Sequence, residues 1–344
     1  MLERRLLAIA ALAAGAAVIP AAAAARGVAT VPVSAAGRPV NTSHATRVVG
    51  HGTPAGCTSA AVVAAVHRGG IIRFACGPNP VTITLRTTAK VVNTSREVVL
   101  DGGGLVTLSG QGRRRILYMD TCDPAQVWTT SHCQDQATPR LVIQNLTFTE
   151  GNSTGQRFDG GGGGAVFDRG GQLRIIDSTF AENRCDPSGP DLGGGAVRAL
   201  SQYDDRPVHV VGSRFIANVC SNGGALSSIG VSWTVLNSTF KGNRAIGHGA
   251  NPARSGTPGG GSGGAIYNDG DRMTLSIGGS LFAGNHANEG GGAVFFVSDD
   301  RTGTMAIARS TLNDNPNEGF QTAGLPGIFF LGARRPAVSD SVLR

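Results

Sequence analysis

One short phrase recurs through most of this chain: Gly-Gly-Ala and an aliphatic, then a strand of alternating side chains, then Ser-x-Phe-x-x-Asn. The clearest copy is GGGGAVFDRGGQLRIIDSTFAENRC, Gly161 to Cys185. Aligned on Gly-Gly-Ala, Ala165, Ala196, Ala225, Ala265 and Ala293 fall in register. Each precedes an aliphatic: Val166, Val197, Leu226, Ile266 and Val294. Alternating strands follow at Leu173, Val208, Trp233, Leu275 and Met305, and then Phe180, Phe215, Phe240 and Phe282, each three residues before an Asn. LNDN at Leu312 is a degenerate fifth copy, and LVIQNLTF, ending at Phe148, is an earlier partial one. Ile246 to Gly261 is a Gly- and Pro-rich insertion in the longest unit.

Short strands recurring about every 30 residues cannot bury a face alone, but stacked units bury a continuous core. Alternation turns Leu173/Ile175, Val208/Val210, Trp233/Val235, Leu275/Ile277 and Met305/Ile307 inward. The Phe column becomes an internal aromatic stack, one ring per coil. The column Asn183, Asn218, Asn243, Asn285 and Asn315 sits in a turn, where amides can bond up the stack or to local backbone. The glycines let one backbone corner lie against the next coil. The expected fold is all-β: a single-stranded right-handed parallel β-helix with a short N-terminal capping helix. That helix is expected from Thr58, a cap residue, through an apolar stretch to a Gly stop.

The N-terminus carries Arg4 and Arg5, an apolar stretch Leu6 to Ile19 and small residues Ala21 to Ala25. This predicts a secretory signal peptide over 1–25. An extended segment is expected over 26–55 and the β-helix over 56–344, with regular repeats about 141–315 and a C-terminal cap at 316–344. In an exported chain, six cysteines point to disulfides. Cys57 and Cys76, Cys122 and Cys133, and Cys185 and Cys220 are the natural pairs. Cys185 and Cys220 each lie two residues past their repeat Asn, so stacking sets them about 4.8 Å apart, within disulfide reach. No C-x-x-C spacing points to zinc.

The pairing of Gly-Gly-Ala-aliphatic with Phe-x-x-Asn resembles the repeats of chlamydial polymorphic outer membrane proteins. It is also similar to secreted bacterial proteins of the pectin-lyase-like β-helix class. Gly163–Val166 with Phe180–Asn183 and Gly263–Ile266 with Phe282–Asn285 are among the matching residues. The first resemblance implies a surface adhesin. The second implies a class rich in polysaccharide lyases and glycoside hydrolases.

Chemistry must come from outward columns. The chain is formally +7, and its Lys plus Arg total of 30 includes only Lys90 and Lys241 as lysines. The charge is nearly all guanidinium, suited to bidentate contact with carboxylate or sulfate. One column, Phe167, Arg198, Ser227, Tyr267 and Phe295, follows the buried aliphatic and turns outward. Exposed, it would stack sugar rings and hold a uronate; the competing reading is that side loops cover it. A second feature is a recurring Asp-Arg: Asp168-Arg169, Asp205-Arg206, Asp271-Arg272 and Asp300-Arg301. It reads as a turn, or, where Tyr203, Asp204 and Asp205 cluster, as an acid/base or metal site with calcium the candidate ion. No cofactor is otherwise called for. Third, Arg174 and His209 point outward on adjacent coils, as a base and a cation for β-elimination; a solvated pair is the plainer reading. Arg113–Arg115 reads as a solvated basic run, and nothing supports nucleic-acid binding.

These features predict a secreted, extracellular or envelope-associated monomer without a membrane span after signal removal. It binds, and if catalytic cleaves, an acidic polysaccharide or cell-surface glycan. Arg198, His209, Arg174 and Asp205 are the catalytic candidates, and Phe167, Tyr203, Tyr267 and Phe295 the binding ones. A lyase is favoured over a hydrolase. The alternative is a non-catalytic adhesin or envelope scaffold.

Overall fold

A computed structural model describes residues 28–157 and 159–344 of the chain; the signal peptide expected over 1–25 lies outside the described residues. Parallel sheets of 17, 8 and 3 strands build a solenoid. In one coil Val166–Arg169 belongs to the 8-stranded sheet, and Gln172–Ile176 and Thr179–Ala181 form two arms of the 17-stranded sheet. The third face carries Val219–Cys220, Arg244–Ala245 and His286–Ala287. Like residues stack: Val166 on Val197, Val197 on Leu226, Leu226 on Ile266, and Ile266 on Val294.

The expected inward residues fill one continuous core. Leu173, Ile175, Val208, Val210, Trp233, Val235, Leu275, Ile277, Met305 and Ile307 are all buried in it. Phe148, Phe180, Phe215, Phe240 and Phe282 form a near-parallel ring stack with centroids 5.0, 5.0, 4.7 and 4.5 Å apart. The Asn column is a buried ladder, Asn183 donating to Asn218, Asn218 to Asn243, Asn243 to Asn285 and Asn285 to Asn315. The Ser of the motif adds a second one. The backbone N–H of Ser178 donates to the Ser213 hydroxyl, and the same step recurs from Ser213 to Ser238 and from Ser238 to Ser280.

Two glycine columns are required by geometry. The first glycine of each element, for example Gly194 at φ +76°, would drive a Cβ into the carbonyl of Val197. The second, Gly195, would drive one into the Gly224 carbonyl of the next coil. No other residue fits either place.

The capping helix forms as Ser59–Arg68, with the Thr58 side chain accepting from Ala61 N–H and Gly69 ending it. Its Val62, Ala65 and Val66 join the core. All three cysteine pairs are bonded, Cys185 and Cys220 with Cα atoms 4.8 Å apart. The segment 28–46 lies as a strap over the outer face of the 17-stranded sheet. Val31 exchanges hydrogen bonds with the Asn237 side chain, Val40 does so with Gln144, and Thr46 N–H donates to Ile71. Val40 also covers an outer apolar patch of Val99, Val142 and Ile176.

Two expectations need correction. Asp168 is not in a turn: it lies inside strand Val166–Arg169, fully buried on the inward column between Met119 and Ala199. Strand alternation, continued two residues past Val166, carries it into the core. Arg115 is not solvated either: it is 1% exposed, pairs with Asp159 at 2.7 Å and donates to the carbonyls of Gly162 and Gly163.

Candidate functional site

The outward column of the 8-stranded sheet runs Tyr118, Phe167, Arg198, Ser227, Tyr267, Phe295 and Phe329, each paired with the next. Alternation does turn it away from the core cluster. It does not expose it. Phe167 and Tyr267 are fully buried, and Arg198 and Phe295 are each 2% exposed. The expected open ribbon at Phe167, Tyr267 and Phe295 is therefore corrected. The segments between repeats fold back as a roof: Asp159 reaches Arg115, Asp191 reaches the Tyr267 hydroxyl, and Asn251 from the long insertion bonds to both Tyr267 and Asp269. Arg198, in this layer, donates to the Ser227 hydroxyl at 2.6 Å, and its Nε has no partner among the described residues. Burial pushes its guanidinium down to about 10, opposed by Tyr267, Asp191 and Asp269. It stays cationic at neutral pH, but a polymer carboxylate has no open path to it in this fold.

Arg174 and His209 lie elsewhere, on the outer face of the 17-stranded sheet. They are direct partners across strands Gln172–Ile176 and Val208–Val211, so their Cα atoms are about 4.8 Å apart. Both are half-buried. They line a cavity of about 500 Å³ with Arg140, Arg206, Gln202 and Ala36 of the strap. Arg174 Nη1 donates to the Ala36 carbonyl at 3.3 Å. Burial, and after it the Arg174 charge, holds the His209 imidazole below its ordinary range. Burial also lowers Arg174, with Glu97 opposing and Arg140 adding to the effect. The cavity thus offers three guanidiniums beside a neutral imidazole, a set that accepts an anion and can take up a proton.

The remaining candidates, Tyr203 and Asp205, are next to Arg206 in the chain but do not line this cavity. The short turn Tyr203–Asp205 puts the Arg206 guanidinium 5.2 Å from the Tyr203 ring centroid. Asp205 is exposed and faces Arg272 at 3.7 Å, a screened pair of small energetic consequence. The structure therefore joins Arg174 to His209, sets Tyr203 and Asp205 beside them through Arg206, and separates Arg198 from all of them. Among the described residues no three His, Cys, Asp or Glu side chains come together in a group able to hold a metal ion.

A second cleft escaped sequence reasoning. The Tyr267 hydroxyl donates to Asp269 Oδ2 at 2.7 Å and lies 3.3 Å from Asp191 Oδ1. Asn251 Nδ2 donates to Asp269 at 3.0 Å. Burial raises the Asp269 carboxyl; the Tyr267 bond opposes this, and the charges of Asp299 and Asp191 add to it. These acids come from three coils, with no spacing to flag them. Only the position of Asp269, two residues past an outward Tyr on the same strand, was a signal.

Among the described residues no helix is long and apolar enough to cross a membrane, which leaves β-barrels unaddressed. The Chlamydia polymorphic membrane protein repeat matches residues 237–269, which hold Phe240, Asn243, the long insertion and Gly263–Ile266. No curated protein and no solved structure matches the chain. Over residues 237–269, then, the chain is similar to a Chlamydia polymorphic membrane protein repeat, set here within a parallel β-solenoid.

Proposed function

We propose that this is an exported, cell-envelope β-helix protein that binds an anionic polysaccharide in the Arg140–Arg174–Arg206–His209 groove, and that uronate β-elimination is the chemistry this groove suits. The observation carrying the reading is the direct pairing of His209 with Arg174 inside a cavity edged by two further guanidiniums. The likeness of residues 237–269 to a repeat of Chlamydia membrane proteins supports placement at the envelope. In the proposed step, the arginines hold the uronate carboxylate and stabilise the charge that develops on it. Neutral His209 takes the proton from the carbon bearing that carboxylate. The pair left behind forms the C=C bond as the neighbouring C–O bond breaks, and the departing sugar oxygen takes a proton from water.

The roof over Phe167, Tyr267 and Phe295 favours a second reading, a non-catalytic adhesin or scaffold, because it removes the aromatic platform a long polymer would lie on. A panel of uronic-acid polymers separates the two. Binding together with ultraviolet absorbance from an unsaturated product supports the lyase; H209A should then lose turnover and keep binding, whereas R174A should weaken both. Binding without product retains the anion site and rejects the chemistry. Neither binding nor product leaves the scaffold.

A further inference from the structure

Several carboxylates around the 8-stranded sheet are ion-paired. Asp159 pairs with Arg115 at 2.7 Å, Asp186 with Arg157 at 2.8 Å, and Glu289 with Arg254 at 2.6 Å. Others are not: Asp120 and Asp123 accept from the Tyr118 hydroxyl instead, and three more acids gather at the other end of the column. Asp191, Asp269 and Asp299 form no ion pair among the described residues, although all three line one cleft of about 620 Å³. Arg198, on the same column, bonds to Ser227 and pairs with none of them.

The wall of that cleft is aromatic. Phe295 and Phe329 stack at 5.3 Å, and Phe320 meets Phe329 edge-on at 4.7 Å and 81°. Phe320 and Phe329 are only half-buried, so ring surface faces the opening. Elsewhere on the same column, the chain displays what such a surface holds when filled. The Arg115 guanidinium lies 4.7 Å from the Phe167 centroid and 5.5 Å from that of Tyr118, while its Nη1 grips Asp159. An aromatic face plus a carboxylate is there completed by a guanidinium. At Phe295, Phe329, Asp269 and Asp299 the face and the carboxylates are present and no guanidinium of the described chain is paired to them.

We propose that this cleft is a docking site for an arginine side chain of a partner polypeptide. A planar guanidinium can lie on a phenyl face and still fork its donors to carboxylates. Asp191 and Asp269 already accept from Tyr267 and Asn251, whereas the exposed Asp299 carboxylate accepts from no group among the described residues. Its free lone pairs favour a cation with N–H donors over a quaternary ammonium, which has none to give. The volume lies within the range of preformed ligand sites. The proposal is independent of the anion groove, which lies on another sheet.

The test uses the full chain and the N-acetylated, amidated tripeptide Gly-Arg-Gly, followed by calorimetry and by NMR. The comparison peptides carry lysine or citrulline, the neutral isostere of arginine, in the central place. Saturable binding of the arginine peptide is expected, with citrulline and lysine weaker by roughly tenfold or more, and with affinity falling as salt rises. D299N, an exposed substitution, should weaken binding several-fold, F329L should do the same by removing the ring, and R174A should leave it unchanged. No saturable binding, equal binding of citrulline or of lysine, or full affinity in D299N would each overturn the site.

Discussion

Asn218 Oδ1 accepts two hydrogen bonds from the coil before it, one from the backbone N–H of Asn183 at 3.0 Å and one from its side-chain Nδ2 at 2.9 Å. Asn218 Nδ2 in turn donates to the Phe180 carbonyl at 3.0 Å and to Asn243 at 2.9 Å. One side chain thus satisfies buried groups on both neighbouring coils and ties three coils together. N218A should cost about 2–4 kcal/mol, because it leaves buried donors unpaired. Chemical denaturation measures this; a loss under about 0.5 kcal/mol, ordinary for a surface change, would show that the ladder contributes little.

Phe215 lies between Phe180 at 5.0 Å and Phe240 at 4.7 Å, all fully buried. F215A should cost about 3–5 kcal/mol through lost contact and a residual cavity. F215L should cost clearly less, since Leu312 already occupies this column next to Phe282. If the two variants melt alike, refilling the volume does not rescue the column, and the loss belongs to the ring stack itself rather than to a cavity.

Cys185 and Cys220 occupy the place held by Ala245 and Ala287 in the coils that follow. Alanine fits that place, so the double variant C185A/C220A should keep the fold and lose about 2–4 kcal/mol, the usual worth of closing a loop of this length. Hydrogen exchange should quicken in the loop 186–195 first. Unchanged stability would mean that stacking alone orders this edge.

Asp168 is buried among core residues, and burial raises its carboxyl well above the ordinary value; the bond from Gln202 opposes this only in part. In the folded chain it holds its proton to higher pH than in the unfolded chain, where it ionises near 3.8. Its contribution is therefore fully present below that point and is lost as pH rises toward the folded value. D168N keeps an acceptor for Gln202 and removes the titration. The variant should gain on the wild type as pH rises from 4 to 7, by an amount on the order of 1 kcal/mol. A pH-independent difference would refute the assignment.

His209 runs the other way. Burial and Arg174 hold its pKa below 6.5, so the unfolded chain takes up a proton first as pH falls. Stability is complete above 6.5 and declines below it. H209Q should flatten that decline in thermal scans between pH 7 and 5. Any eliminase activity should likewise hold to a lower pH than an unperturbed histidine would permit. A decline identical in wild type and H209Q would place the titrating group elsewhere.

Much of this architecture could be read from residue order. The Phe and Asn columns, the inward aliphatics, the cysteine partners and the Thr58-capped helix all follow from two local rules: side chains alternate along a strand, and equivalent residues of adjacent coils sit one strand spacing apart. The same rules placed Arg174 next to His209. They could not say which outward faces stay open. Phe167 and Tyr267 point outward as alternation requires, yet loops from other parts of the chain bury them, and those glycine-rich loops carry no periodic signal. Nor could they announce the cleft, where Asp191, Asp269 and Asp299 meet from separate coils. Periodicity along the backbone decided the core and its ladders, because strand geometry repeats within a few residues. Cover and exposure, and with them which outward residues form an open site, were decided only by long-range packing, because a roof depends on where distant segments come to rest.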